Sequence, residues 1–287
     1  MHKPHADDTN TENILILTDS TASLPEQVRQ NSHLDVINLH VLYDTYDLEE
    51  NAHITPQQCA ALIADKKNLT TSQPSKQAFE DAYEHALKNG YDAVVSIHIS
   101  AALSGTYDTA CMAAEKFGDR VRVLNSNTTG MALGFLALEG ARLSAQGTPI
   151  QELIDTMTAR AHTTGAYFAV DSLDHLRRGG RLSAAAAAVG TVLGVKPILH
   201  VNETGHIEVA AKVRSRAHVA HYLSEQARNA QNKGAHEFAV HYFGDETRAH
   251  ELAQRLHTEL DTEIVVTPVS AVLGSHVGPG LIALTYA

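Results

Sequence analysis

The hydrophobic pattern of the chain alternates between two periods. Short apolar runs, Ile14-Leu15-Ile16-Leu17, Ala93-Val94-Val95 with Ile97 and Ile99, and residues 121–124, have the length and composition of buried strands, and a further strand is predicted over residues 36–43. Between them the spacing turns helical. Ser23-Leu24-Pro25-Glu26 has capping-box spacing and predicts a helix start, as does Thr55-Pro56-Gln57-Gln58, which adds proline in the first turn. Thr70-Thr71-Ser72-Gln73-Pro74-Ser75 leads into a helix with the apolar face Ala78, Phe79, Ala82, Tyr83, Ala86 and Leu87, ending at Asn89-Gly90. Another helical pattern begins at about Gly105, and a long one follows Gly130 to about Ala145. Strands alternating with helices, with polar loops after the strands, predict a parallel α/β domain. Ligands of such sheets bind beyond the carboxyl ends of the strands. The hydroxyl-bearing turns at Asp19-Ser20-Thr21, residues 100–104 and residues 125–129 are then expected to share one edge.

The pattern changes after Thr148-Pro149. A helix to about His162 and the strand Tyr167-Phe168-Ala169-Val170 are followed by a short helix holding Leu173 and Leu176. Arg177-Arg178-Gly179-Gly180-Arg181-Leu182-Ser183 then leads to an Ala-rich helix. Strands at 197–201 and 206–213 flank Asn202-Glu203-Thr204-Gly205, a hairpin signal. Helices at about 215–231 and 245–260 enclose a strand at 238–243, and a strand at 264–269 precedes the Gly-rich corner Gly274-Ser275-His276-Val277-Gly278-Pro279-Gly280 and a last strand, 281–286. Hairpin-linked strands with helices predict a second domain of α+β type.

Composition narrows the function classes. A chain of 287 residues has room for about two domains, and its 44% hydrophobic and 19% charged content is that of a globular protein. A formal charge of -11 argues against nucleic acid or an anionic membrane surface as a general partner. Residues 1–12 are polar, lack an apolar signal core and read as a disordered tail. The apolar stretch at 184–195 is too short to span a bilayer. Two cysteines, Cys59 and Cys111, make no disulfide framework or zinc pattern, which suits a reducing cytoplasm. None of the 18 histidines falls in an H-E-x-x-H or Cys/His constellation, so no metal is expected. No G-x-G-x-x-G follows the first strand and no P-loop is present, which disfavours nucleotide binding.

Candidate chemistry sits where Ser96-Ile97-His98-Ile99-Ser100-Ala101-Ala102-Leu103-Ser104-Gly105-Thr106-Tyr107 passes from strand to helix. A helix start offers unpaired N–H groups and positive dipole, so Ser104, beside Gly105 and Thr106, either holds an anion or merely caps the helix. Asp19 reads as a turn-forming residue rather than a catalyst.

Thr18-Asp19-Ser20-Thr21-Ala22, Thr71-Ser72-Gln73-Pro74-Ser75, Leu103-Ser104-Gly105-Thr106-Tyr107, Gly179-Gly180-Arg181-Leu182-Ser183, Lys196-Pro197-Ile198 and His276-Val277-Gly278-Pro279-Gly280 occur in that order, and the chain thereby resembles the DegV family of bacterial fatty-acid-binding proteins, from about Ile14 to Tyr286. The resemblance implies a Rossmann-like α/β domain over residues 13–160, an α+β domain over residues 161–287, and a long-chain fatty acid between them. It further implies that Thr71 and Ser104 bind the acyl carboxylate, with Arg181 and His276 beside the head group. Some members serve as the non-catalytic, acyl-carrying subunit of fatty acid kinase, so the implied partner is a separate ATP-binding kinase subunit, with no cofactor, no metal, and room for transient membrane contact. Ala101-Ala102 replaces a serine-and-glycine pair common in the family, which removes one hydroxyl contact, and about one extra residue falls near Asn89-Gly90.

Physical chemistry suits that implication. At ~0.8 kcal/mol per buried CH₂, some fifteen methylenes contribute on the order of 12 kcal/mol before ordering costs, whereas hydrogen bonds to the charged head contribute ~1.5–3 kcal/mol. The tail supplies affinity and the hydroxyls set depth and orientation. The small side chains of the Ala-rich stretch would leave tunnel volume, or pack as an ordinary helix. A basic cluster at Arg177, Arg178 and Arg181 with Arg214 and Arg216 offers either a docking face for a kinase or a solvated surface. The alternative from a different class is an esterase-like hydrolase with Ser104 as nucleophile and His276 as base, although Leu103-Ser104-Gly105 lacks the G-x-S-x-G elbow.

Overall fold

The computed structural model describes residues 12–182 and 195–287. Most of the expected tail and the Ala-rich helix lie outside the described residues.

β1 (Ile14–Asp19) is buried along its whole length, as an unbroken apolar run requires when helices cover both sheet faces. It pairs in parallel with β2 (Leu34–Ile37) on one side and β6 (Ala93–His98) on the other. β6 in turn pairs in parallel with β7 (Val121–Asn125), giving the order β2-β1-β6-β7. On this sheet pack α2 (Lys76–Lys88), started by the Ser75 side chain, α3 (Thr106–Ala114) and α4 (Met131–Ala145), with α5 (Ile150–Ala161) beside α4 and also reaching β6.

The strand expected over 36–43 is two strands in two sheets. At Asn38-Leu39 the chain leaves β2: the Ser20 hydroxyl accepts from Leu39 N at 3.0 Å, and Leu39 O accepts from Glu50 N at 2.9 Å. β3 (His40–Tyr43) then joins β4 (Tyr46–Glu49) and β5 (Thr70–Ser72) in a small antiparallel sheet of order β4-β3-β5. α1 (Pro56–Ala64) lies between β4 and β5 in the chain and opens with the capping box read from the sequence, Thr55 against Gln58. The turn after Ser23 is a 3-10 segment, Glu26–Gln30, rather than a full α-helix; the Ser23 hydroxyl expected to cap it instead donates to Thr21 O and accepts from Ser270 N.

After α5 the strands join a six-stranded mixed sheet of order β10-β9-β8-β13-β11-β12. Its members are β8 (Gly165–Ala169), β9 (Lys196–Val201), β10 (Ile207–Val213), β11 (Phe238–Tyr242), β12 (Ile264–Pro268) and β13 (Ile282–Tyr286). The β9–β10 hairpin forms at Asn202, whose side-chain oxygen accepts from the N–H groups of Thr204 and His206. α7 (Arg216–Asn232) and α8 (Thr247–Leu260) cover one face with Leu223, Leu252 and Leu256. α6 (Asp174–Arg178) follows β8. The predicted Gly-rich corner is partly helical: α9 (Ala271–Val277) carries His276 in its last turn, started by the Ser270 hydroxyl accepting from Leu273 N.

The two large sheets are stitched together. Ser100 Oγ donates to Gly205 O at 3.0 Å, so the hairpin tip rests on the end of β6. Gly205, at φ 82°, leaves no room for a side chain: a Cβ would lie 1.9 Å from Ser100 Oγ. Met131 N, at the start of α4, donates to His241 Nε2 of β11 at 3.0 Å. Ser23 Oγ accepts from Ser270 N at 3.0 Å, and the Cys59 thiol of α1 faces Ala271 O at 3.3 Å.

Candidate functional site

The hydroxyl-bearing turns after β1, β6 and β7 do share one edge, and most of their residues are buried there. Asp19 Oδ1 accepts from Thr21 N as a turn-former, while its Oδ2 accepts from Ile99 N at 2.9 Å and so joins the ends of β1 and β6. Thr128 O accepts from Ser100 N, joining the ends of β6 and β7. Asp19 also meets His98 Nδ1 at 3.1 Å, and His98 Nε2 meets Ser96 Oγ at 2.6 Å. This Ser-His-Asp chain is fully buried, so no substrate reaches it.

Beyond that edge lies a cavity of about 90 Å³, lined by residues of both large sheets and of α9. The six-stranded sheet forms its floor through strand alternation. Ala166 and Phe168 of β8, Ala283 and Thr285 of β13, and Leu281 just before it all face the cavity at period two. Ile99 and Leu103 close it from the parallel sheet, and Val272, Leu273 and Val277 from α9. The wall is overwhelmingly apolar.

Polar groups gather toward α9. Thr71, Ser104, Arg181 and His276 all line this cavity. Thr71 Oγ1 lies 2.8 Å from His276 Nε2, linking β5 to the end of α9. Ser104 Oγ lies 2.9 Å from Thr106 Oγ1 and only weakly reaches Thr106 N, at 3.4 Å, so Ser104 is not the formal cap of α3, a position held by Gly105. Arg181 Nε donates to Leu103 O at 3.0 Å and its Nη1 to Gly179 O, which fixes the guanidinium at the seam by backbone carbonyls. The absence of a side chain at Gly179 is required here, because a Cβ would lie 2.3 Å from His276 Nδ1.

Burial, and then the nearby Arg181 and His175, push His276 down to about 4, so its imidazole is neutral at pH 7. Arg181 is then the fixed positive charge among the four, and a neutral His276 and two hydroxyls supply directional hydrogen bonds, an arrangement suited to a carboxylate. The esterase-like pairing is not formed. The imidazole is engaged by Thr71 and Ser104 by Thr106, leaving no nucleophile–base contact between Ser104 and His276.

Sequence reasoning missed His241. It is buried in the middle of β11, lines the cavity, donates from Nδ1 to Thr267 O at 3.1 Å and accepts at Nε2 from Met131 N. Burial pushes it down to about 4. A histidine inside the apolar run 238–243 was the available signal.

These two histidines predict an acid response. Each holds a proton less readily folded than unfolded, so its contribution is complete above about pH 6.5 and lost as pH falls toward about 4. Together they are expected to lower stability by up to about 2.7 kcal/mol per pH unit across that window. Urea unfolding at a series of pH values checks this, with His276→Gln expected to remove about half of their joint slope.

Comparison with known proteins agrees with the architecture. A DegV domain-containing protein of Streptomyces coelicolor is 37% identical over 276 residues, covering 96% of this chain and 98% of the relative. The structure of a DegV family protein from Thermus thermophilus, described as fatty acid binding, superposes with a TM-score of 0.88 at 30% identity, covering 96% of this chain and 99% of that one. DegV from Bacillus subtilis, described as a fatty acid binding protein, superposes with a TM-score of 0.87 at 32% identity over the same shares of the two chains. The DegV family profile itself matches residues 13–287. With that span matched and the two-sheet architecture shared, the chain belongs to the DegV family.

Proposed function

We propose that this protein binds a long-chain fatty acid between a 13–160 lobe and a 161–287 lobe and presents its carboxylate to a separate ATP-dependent kinase for acyl-phosphate formation. The observation that carries the reading is the asymmetry of one cavity: a mainly apolar lining, with Thr71, Ser104, Arg181 and His276 forming a polar group near α9 and Thr285 and His241 the polar positions on the sheet floor. The fatty acids described for the Thermus and Bacillus relatives fit that asymmetry. The tail lies against Phe168, Leu281, Ala283 and Val272, and the carboxylate accepts from the Thr71 and Ser104 hydroxyls while facing Arg181.

In the complex Thr71 donates to the carboxylate and accepts from His276 Nε2–H, so the imidazole orients the hydroxyl rather than abstracting a proton. A carboxylate already ionised at pH 7 needs no general base before phosphoryl transfer; it needs positioning. The protein is accordingly read as a carrier and not as an enzyme, acting in the cytoplasm without cofactor. Among the described residues no helix is long and apolar enough to cross a membrane. The exposed Arg177 and Arg178 of α6, and the exposed Arg214 and Arg216, are the basic residues offered for kinase docking.

Native mass spectrometry of delipidated protein mixed with fatty acids tests the reading. One acyl chain per protein is expected, and Thr71→Ala or Ser104→Ala is expected to weaken retention by about tenfold or more, the equivalent of one hydrogen bond to a charged acceptor. Failure of the wild type to retain any acyl chain removes the reading.

A further inference from the structure

Glu50 is a buried carboxyl that the site described above does not use. Only 1% of it is exposed, and it follows β4 at the point where the chain turns toward α1. Its Oε1 accepts from Val272 N in the first turn of α9, 222 residues away, at 3.2 Å. Its Oε2 is buried and makes no hydrogen bond. The Ser20 and Ser270 hydroxyls lie close enough to favour a charge there, yet burial outweighs them and pushes Glu50 up to about 7. The titratable group facing it from α1 is Cys59, whose thiol burial pushes up to about 12 and which therefore stays neutral. His276 stands at the far end of α9 and is neutral across the range that matters.

α9 is short, and every part of it is committed. Its first turn is held by Glu50 and by the Cys59–Ala271 contact, its middle contributes Val272 and Leu273 to the cavity, and its last turn holds His276 against Thr71. A shift at one end of such a helix is delivered to the other.

Resting on the fatty-acid reading, we propose that Glu50 is the positioning residue of the carboxylate clamp: its protonated carboxyl seats α9 so that His276 and Thr71 meet the ligand, and its ionisation unseats α9 and releases the ligand. The sign follows from where the charge is tolerated. In the seated state a carboxylate would leave one oxygen dry and unpaired, so the proton is kept; once α9 loosens and water reaches Glu50, the proton is lost to solvent at the pH usual for a carboxyl. Rising pH thus favours the loosened, weakly binding state.

The experiment is displacement of a fluorescent polyene fatty acid from full-length protein across about pH 6 to 8.5, comparing wild type with Glu50→Gln, so that titration of the ligand cancels between the two. The wild type is expected to bind roughly tenfold more weakly at the alkaline end, and Glu50→Gln to stay near its acid-side affinity throughout. A wild-type profile that is flat, or a Glu50→Gln profile that tracks the wild type, overturns the inference while leaving fatty-acid binding intact. A wild type that binds no fatty acid at any pH removes both. Should Glu50→Gln not fold, carboxyl ¹³C NMR of the wild type decides: a glutamate titrating near neutrality supports the assignment, and none above about pH 6 overturns it.

Discussion

Ala283→Phe is expected to abolish retention of a long acyl chain while leaving a folded protein. Ala283 is 7% exposed, stands on the cavity face of β13 between Leu281 and Thr285, and is paired with Phe168 on β8 and His241 on β11. A benzyl group at that position projects into the space assigned to the tail. Excluding roughly five methylenes forgoes on the order of 4 kcal/mol, about a thousandfold in Kd. Overfilling a packed interior costs about 1–3 kcal/mol, which is smaller than the stability of an ordinary domain and is relieved here by open volume. Displacement titration together with thermal unfolding separates the two effects. Affinity within tenfold of wild type would mean that the tail does not lie on the β13 floor.

The second large effect concerns stability. His241→Leu keeps the volume but removes both hydrogen bonds, leaving Met131 N–H buried without that partner, while Thr267 C=O keeps its place in the β11–β12 ladder. An orphaned buried N–H costs about 1–3 kcal/mol, so a loss on the order of 2 kcal/mol and a fall in Tm of roughly 4–8 °C are expected. Because Met131 starts α4, the loosening falls on the cavity wall formed by Thr129 and Gly130. Differential scanning calorimetry measures it. A variant as stable as the wild type would show that the imidazole is only a space-filler.

How much of this the sequence disclosed depends on the range of the interaction involved. The apolar run of β1, the Thr55–Gln58 capping box and the Asn202-led hairpin are local, decided by residues a few positions apart, and all were legible. The split of residues 36–43 was not, because what turns the chain at Leu39 is a hydroxyl from Ser20 and a backbone N–H from Glu50. Ser104 was legible as an anion or cap position at a strand-to-helix junction, whereas Thr71, Arg181 and His276 were picked out by motif resemblance, since Thr71 and His276 meet across 205 residues. His241 and Glu50 fell to neither route. Their partners lie 110 and 222 residues away, and no periodicity records such a pairing.

The stitches between the sheets constrain how cargo changes places. Ser100–Gly205, Met131–His241, Ser23–Ser270 and Cys59–Ala271 surround the cavity, and their members are 105 to 247 residues apart in sequence. A clamshell motion would have to sever all four together, so this architecture favours a doorway over a jaw. Loading then depends on one small piece of the rim, such as α9, giving way while the two large sheets keep their places.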